Sequence, residues 1–385
     1  MTLLPRVSMR STPAIARVAV EIGANGPPPQ VPPLPVAPLS DPGVVRAASI
    51  PVAGLRLSVV VPCYRVGGLA VEAVRSLLQQ TMPALEVIAV DDGSPDDTLH
   101  QLLAIEDARL TVVTQVNRGL AAARNTGIRH ARAPLIGFCD GDDIWFPYKA
   151  ERHLAVMDAD PLVGLTFSHS AYLDESGQPT GQLLVSRCRQ PTTRQLVRRN
   201  HIGNGSTAIV RRACFAVAGL FDESLASCED AEMWTRLSVR TPHALRLVPE
   251  PLTGYRVRAT SQMHTFDTYI AGSRLFLERY RSYVPGYTQR DAQHTYALHL
   301  RVLSRKAFSS GEIELSRAIL AEALRHSPTI VVRDLRAFAM TGLHGLALVL
   351  PRRVRTAPYW LGRRVLRGAY KRLVGAPAPA AMGRR

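Results

Sequence analysis

From Leu57 onward the apolar residues fall into short blocks of two kinds. Residues 57–61 (LSVVV) form a β-branched run stopped by Pro62, the pattern of a buried strand. Leu69, Ala73, Leu77 and Leu78 then recur at helical spacing within 69–80. The alternation continues with a strand over 85–90, a helix from Ser94 to about Glu106, a strand over 110–114, a helix over 120–131 and a strand over 135–139. Ser94-Pro95-Asp96-Asp97 reads as a helix start, with Ser as cap, Pro in the first turn and acids facing the positive dipole end. Strands alternating with helices predict a parallel sheet with helices on both faces.

Past Asp143 the alternation loosens. Strands are predicted over 163–169, 206–210 and 245–248, and helices near 147–159, 191–199 and 229–239. From about Thr265 the pattern is helical, and 292–308 with 312–325 reads as a helical pair turning at Ser309-Ser310-Gly311. Before the first strand, residues 1–56 carry Pro27-Pro28-Pro29 and Pro32-Pro33-Leu34-Pro35, which form neither helix nor ladder, so an extended tail is expected there. The domains expected are a tail over 1–56, an α/β domain over 57–264 with halves 57–145 and 146–264, a helical region over 265–334 and a basic tail over 335–385.

Composition narrows the class. The 385 residues are 46% hydrophobic and 20% charged, which excludes a wholly disordered chain and a collagen. Lys and Arg total 47 against 31 Asp and Glu, a net charge of +16 that suits an anionic partner. The five cysteines are odd in number and lack CxxC spacing, so reduced thiols in a cytoplasmic setting are expected rather than a zinc site or disulfide framework. The first twenty residues lack the apolar core of a signal peptide, and no run of about 18 apolar residues predicts a membrane span. After Asp334 there is no acidic residue, and an apolar stretch over 338–350 precedes most of the arginines. That order suits an anionic membrane surface, with each basic residue worth about 1 kcal/mol there, so peripheral attachment to the inner face of the plasma membrane is one expectation. A solvated basic tail is the other. Its aromatics (Tyr359, Trp360, Tyr370) are too few for a nucleic-acid stacking platform, and no nucleic-acid partner is expected.

In a parallel α/β sheet, ligands bind beyond the carboxyl ends of the strands. Pro62-Cys63-Tyr64, Asp91-Asp92-Gly93-Ser94 and Asp140-Gly141-Asp142-Asp143 all fall there. Five acids at two strand ends repel one another unless something positive sits among them, and Mn²⁺ or Mg²⁺ bridging a diphosphate is an economical answer. A solvated acidic turn is the plainer one. Tyr64 fits either stacking on a planar base or a partly buried core position. Asp92 fits either a hydrogen bond from a ring N–H or an Asx turn before Gly93. Asn117 and Arg124 lie at or in the third helix, where Arg124 reaches a phosphate or stays on the surface. Cys63 and Cys139 read as small packing residues. In the second half, Asp230, Trp234 and Leu237 share one helical face, so Trp234 can pack beneath while Asp230 points into the cleft as a general base or a first-turn capping acid.

Together these constellations resemble the family 2 glycosyltransferases, which have the GT-A fold. The matching stretches are 58–64 (SVVVPCY), 90–94 (VDDGS), 117–127 (NRGLAAARNTG), 138–143 (FCDGDD) and 228–230 (CED), with 218–222 (AGLFD) ahead of the last. The resemblance covers 57 to about 257. It implies a nucleotide-binding, Rossmann-like, mostly parallel sheet with helices on both faces, followed here by a C-terminal helical region. It implies a nucleotide-sugar donor, UDP-linked by expectation, whose base meets Pro62, Tyr64 and Asp92, with Asp140 near the ribose or sugar. Asp142 then holds the metal on the diphosphate, Asp230 acts as base, and transfer to a glycan, lipid-linked or protein acceptor inverts the anomeric centre. Cell-surface polysaccharide or glycoconjugate synthesis is the implied setting. Arg65 stands where the family often has Asn. Arg258 stands where it often has His after a Tyr-Arg strand, so Arg258 is expected on the diphosphate. A nucleotidyltransferase lacks support because the first loop, 62–68, has no Gly-rich basic cradle, and a dehydrogenase lacks GxGxxG. A sugar-nucleotide-binding or membrane-recruited scaffold without turnover is the competing class.

Overall fold

The computed structural model describes residues 43–258, 266–333 and 341–342. The β-branched blocks become one ten-stranded sheet made of β1 (Gly43–Arg46), β2 (Leu57–Cys63), β3 (Leu85–Asp91), β4 (Leu110–Thr114), β5 (Leu135–Phe138), β6 (Ile144–Trp145), β7 (Val163–Leu173), β8 (Pro179–Leu184), β9 (Ile209–Arg211) and β10 (Ala244–Arg256). The strand order is β1-β4-β3-β2-β5-β9-β7-β10-β6, with β8 beside β7. β4, β3, β2 and β5 run parallel, as do β7 and β10, while β9 joins the two parallel groups antiparallel to both neighbours.

Between and after the strands lie α1 (Gly68–Leu78), α2 (Thr98–Leu103), α3 (Leu120–His130), α4 (Lys149–Ala159), α5 (Thr193–Arg198), α6 (Arg212–Ala218) and α7 (Glu229–Arg240). They cover both faces because alternate residues of each strand point to opposite sides. On β2, Val60 joins one core with Ile128 of α3 and Trp234 of α7. Leu57, Val59 and Val61 join the other with Val74 of α1 and Leu154 of α4. The helices on both faces expected from the alternation are therefore found, on the mostly parallel rather than wholly parallel sheet that the resemblance implied.

The helical region also forms. It consists of α8 (Phe266–Tyr283), α9 (Gln289–Ser310), α10 (Ile313–His326) and α11 (Ile330–Arg333). Gly311, at φ 93°, ends α9 in the left-handed conformation that glycine tolerates best, inside the predicted turn. These helices share a core with Val197 and Cys228 of the α/β part, so they are docked onto it.

Several expectations need correction. The tail does not extend to residue 56: Val44 and Val45 carry β1, which pairs antiparallel with β4, and Arg46 donates to the Asp107 carbonyl at 3.0 Å. Residues 1–42 and most of the basic segment 335–385 lie outside the described residues. Ser94 caps no helix. The helix starts at Thr98, whose amide is held by Asp96 Oδ1 at 3.2 Å, while Ser94 Oγ accepts from the Arg65 amide. β10 runs well past Val248 because a register shift at Val248–Pro251 absorbs the prolines that halt a regular ladder. β6, β8 and α6 had no predicted counterpart. β6 has two residues, and β8 is exposed along most of its length, so neither shows a periodic apolar signal. Among the described residues no helix is long and apolar enough to cross a membrane. All five cysteines are free thiols.

α3 lies so close on β2 that a Cβ at Gly127 falls 2.2 Å from Val60 Cγ1. Gly127→Ala is expected to destabilise the protein by about 1–3 kcal/mol through overpacking, and Val60→Ala in the same chain to restore part of the loss. Urea denaturation of the two single variants and the double variant measures both effects.

Candidate active site

Three loops at the carboxyl ends of the parallel strands are stitched together by backbone hydrogen bonds. The Asp92 amide donates to the Cys63 carbonyl at 2.9 Å, and the Gly141 amide to the Pro62 carbonyl at 3.2 Å. Tyr64 emerges beyond β2 and is 43% exposed, so it is no core aromatic. Asp92 is buried. Its Oδ1 accepts from Gln115 Nε2 at 2.7 Å and the Arg118 amide at 2.9 Å, and its Oδ2 from the Gly119 amide at 2.8 Å. It thereby fixes the turn that presents Asn117 and starts α3. A carboxylate has about four acceptor positions, so these three bonds leave one unused. Burial holds its pKa above the usual carboxylate range despite these three bonds.

The loop after β5 carries the other acids, and they do not all point the same way. Asp143 turns inward, accepting from Ser206 Oγ at 2.5 Å and the Arg256 amide at 3.0 Å. Burial, with Asp142 and Asp140 nearby, raises its pKa well above normal. Ser206 also accepts from the Asp140 amide at 2.9 Å. Lys149, fully buried under the Trp145 ring, anchors the Ser206 carbonyl at 2.7 Å and Thr253 Oγ1 at 2.6 Å. Burial pulls its pKa down to about 7. Asp140 and Asp142 are left facing outward. The positive charge expected among the acids comes in part from the chain itself: Arg124 Nη2 meets Asp140 Oδ1 at 2.7 Å, and Arg258 Nη1 meets Asp142 Oδ2 at 3.2 Å.

Arg124 corrects an expectation. It is 1% exposed and is neither a surface residue nor an open phosphate ligand. Its second nitrogen, Nη1, holds Glu229 Oε1 at 2.7 Å, and its guanidinium lies 5.5 Å from the Phe221 ring centroid. It binds the first-half loop to the head of α7. A Cβ at Gly205 falls 2.4 Å from Arg124 Nη2, so any larger residue there has to displace the guanidinium.

α7 begins with Glu229 and Asp230 in its first turn, where the positive end of the helix favours carboxylates. Trp234 packs beneath, against Phe138 and Phe221. Asp230 faces the cavity, with Oδ2 accepting from Asn200 Nδ2 at 3.0 Å and Oδ1 from the Ala231 amide at 2.6 Å. Desolvation, then the neighbouring Glu229, push its pKa up to about 7, while Arg124 works against them. Just before it, Cys228 sits at φ 65°, a left-handed conformation that costs a non-glycine residue on the order of 1 kcal/mol or more. α8 holds that turn: Cys228 Sγ lies 3.7 Å from Ser273 Oγ, and a Cβ at Gly272 falls 2.4 Å from the Ser227 carbonyl oxygen.

One cavity of about 920 Å³ is lined by all nine predicted residues: Pro62, Tyr64, Asp92, Asn117, Arg124, Asp140, Asp142, Asp230 and Arg258. Cys63 and Cys139 are buried packing residues, with burial raising both thiols. Asn200 and Asn204 also line the cavity, whereas His169 and His201 do not. Sequence reasoning gave no role to Glu229, Ser206 or Lys149. Each acts by a long-range contact; Glu229 lies inside a motif and Lys149 a few residues after one, whereas Ser206 stands apart from all of them. The lining by α8 and α9 was equally unforeseen.

Among the described residues no group of three His, Cys, Asp or Glu can hold a metal ion. Asp140 and Asp142 each keep one carboxylate oxygen outside the arginine contacts described above. Two such oxygens fit Mn²⁺ or Mg²⁺, which take one or two carboxylates and complete their shell with phosphate oxygens and water.

Residues 58–217 match the family model described as Glycosyl transferase family 2. The uncharacterized glycosyltransferase EpsJ of Bacillus subtilis is 33% identical over 215 residues, covering 53% of this chain and 62% of EpsJ. The chain spans 34% and 62% of the lengths of the first two curated relatives it matches. S. aureus TarS 1–349, solved in complex with UDP, aligns at a TM-score of 0.52 and 18% identity over 82% of this chain and 91% of that one. The mannosyltransferase PcManGT from Pyrobaculum calidifontis, solved with GDP-Man and Mn²⁺, aligns at 0.50 and 20% identity over 88% and 91%. At these identities the likeness is one of fold.

Arg124→Met leaves two partly buried carboxylates without their shared cation. The expected cost is about 3 kcal/mol of stability, read by urea denaturation at neutral pH. A loss below about 0.5 kcal/mol, the size expected of a surface substitution, would show that the bridge is not formed.

Proposed function

Because residues 58–217 belong to glycosyl transferase family 2, we propose that this chain is an inverting glycosyltransferase that moves a sugar from a nucleoside-diphosphate donor to an acceptor hydroxyl. The observation that carries this reading is that nine residues from separate stretches of the chain meet at one cavity. Cell-surface polysaccharide or glycoconjugate synthesis is its proposed setting.

In this mechanism the donor base stacks on the exposed Tyr64 beside Pro62, and a ring N–H donates to the remaining acceptor position of Asp92. Asn117, on the turn Asp92 organises, borders the nucleoside. Asp140, fixed by Arg124 and Ser206, accepts from a ribose or sugar hydroxyl. Arg258 contacts the diphosphate. Asp142, with Asp140 beside it, is the proposed ligand of Mn²⁺ or Mg²⁺. Such a cation, when bound, supplies neutralisation of the diphosphate's charge.

Asp230 removes the acceptor's hydroxyl proton. The hydroxyl oxygen attacks the anomeric carbon from the face opposite the diphosphate. The bond from that carbon to the diphosphate oxygen breaks, and the nucleoside diphosphate leaves with the electron pair. Arg258 stabilises the added charge. One displacement inverts the centre. A base with a pKa near 7 suits proton abstraction at neutral pH, since correct protonation and driving force are both substantial there. The donor class follows from the site's acids and aromatic, and the neighbours solved with UDP and with GDP-Man make these the first nucleotides to test.

Two measurements test the reading. Asp230→Asn is expected to abolish transfer from a radiolabelled nucleotide sugar while calorimetric UDP affinity stays within about twofold. Undiminished transfer in the variant removes the assigned base, and absence of transfer in the native chain favours a non-catalytic binder. The base works ionised, so the native rate should climb as pH rises through about 7 and level off above it. Chelation with EDTA is expected to weaken UDP binding, with Mn²⁺ restoring it. In Asp142→Asn that restoration should largely fail.

A further inference from the structure

Residues 200–207 run between the two acidic groups of the site, and the segment is fastened along its length. At its far end Ser206 Oγ donates to Asp143 and accepts from the Asp140 amide. The Ser206 carbonyl takes Lys149 Nζ at 2.7 Å and Trp145 Nε1 at 3.0 Å. Thr207 Oγ1 closes the turn, 2.8 Å from the Ile202 carbonyl oxygen and 2.9 Å from that of Asn204. Ile202 is buried in the core that also holds Trp234 of α7.

Asn200 stands at the near end, and its side chain is fully committed. Its Oδ1 accepts from the Ile202 amide at 3.0 Å and the Gly203 amide at 3.2 Å. Its Nδ2 donates to the Gly203 carbonyl at 3.3 Å and to Asp230 Oδ2 at 3.0 Å. Gly203 sits at φ 104°, a conformation that favours glycine, and presents both its amide and its carbonyl to that one side chain. An Asn side chain has two acceptor lone pairs and two donor hydrogens, so the protein itself occupies all four positions. Two amides claim the oxygen, which leaves the NH₂ end, a donor, turned toward Asp230. Although Asn200 lines the cavity, it has no hydrogen-bonding position left for a substrate.

The charged and titratable groups around Asp230 work in both directions. Glu229 and Cys228 share its turn, Arg124 comes from α3, Asp140 from the loop after β5 and Tyr269 from α8. Arg198 and Arg199 at the end of α5, and His299 and Lys306 of α9, line the same cavity. Glu229 and Asp140 oppose a further negative charge. Arg124 attracts one, but its two terminal nitrogens are bound to Asp140 and Glu229. Asp230 itself is touched by the Ala231 amide next to it in sequence and by Asn200 from across the cavity.

We propose that Asn200 is the positioning residue of the proposed base: from a fastened segment it holds the Asp230 carboxylate in one orientation and keeps it charged until the acceptor's proton arrives. The inference rests on the transferase reading and adds to it a residue that acts through Asp230 without touching substrate. A hydrogen bond from a donor that cannot turn round favours the ionised carboxylate. Through Ser206 the same segment grips Asp140, so the base and the proposed sugar contact share one frame.

The test compares the native chain with Asn200→Ser and Asn200→Ala. A serine hydroxyl can still accept from the loop amides, as in an ST turn, but is too short to reach Asp230, whereas alanine loses both contacts. Two midpoints are read in the full chain: that of the pH–rate profile for transfer, and that of the Asp230 carboxyl by ¹³C NMR, with Asp230→Asn identifying the signal. In both variants the midpoint is expected to rise from about 7 by about one pH unit or more, an activity drop of about fivefold at pH 7. Calorimetric UDP affinity is expected to stay within about twofold, which reports that the variants are folded; if alanine fails that check, serine decides. A residue that only shapes the loop would spare the serine variant, and in the alanine variant would lower the rate at every pH with the midpoint in place. A midpoint in Asn200→Ser within about 0.3 of a pH unit of the native value overturns the proposal. If the native chain transfers no sugar, the transferase reading fails, and the NMR titration still decides whether Asn200 lowers the proton affinity of Asp230.

Discussion

A single buried guanidinium joins the two halves of the site. Arg124 leaves α3 in the first half of the α/β part and ends between Asp140 and Glu229, at 2.7 Å from each. A cation removed from water is costly unless its charge is met, and here two carboxylates from distant parts of the chain meet it. The bridge sets the spacing between the loop after β5 and the first turn of α7. It also places a positive charge near Asp230 that moderates the upward push of burial and Glu229. The proton affinity of the proposed base and the position of the proposed sugar contact therefore depend on one side chain.

The first half was legible because local pattern and final environment agree there. β2, β3, β4 and β5 are short apolar runs buried along nearly their whole length, and the loops that follow them hold the polar residues. Parallel strands put those loops on one edge, so predicting the sheet amounted to predicting the site. The second half was less legible for the opposite reason. β10 carries prolines and an irregular register, β8 is exposed, and Ser206 and Lys149 act through contacts that span 57 residues of sequence. Arg124 was legible only in part. Its place in the motif was visible, but whether it faced solvent, a ligand or two buried acids depended on residues more than a hundred positions away.

The acidic cluster shows the same limit in its electrostatics. Five carboxylates at two strand ends suggested a cation. The fold meets part of that demand by turning Asp143 inward onto Ser206 and by setting Arg124 and Arg258 against its neighbours. Each of Asp140 and Asp142 gives one carboxylate oxygen to these arginine contacts, so the cluster carries less unmet charge than the raw count implied.

The contact between Gly272 and the Ser227 carbonyl has a bearing on how such proteins diversify. The left-handed turn at Cys228 and the bare helical surface facing it are a lock and its key, and they sit on opposite sides of the boundary between the sheet domain and the helices after it. In a chimaera that borrowed its C-terminal helices from another sequence, the proposed base would keep its setting only if a residue without a side chain arrived at that one position.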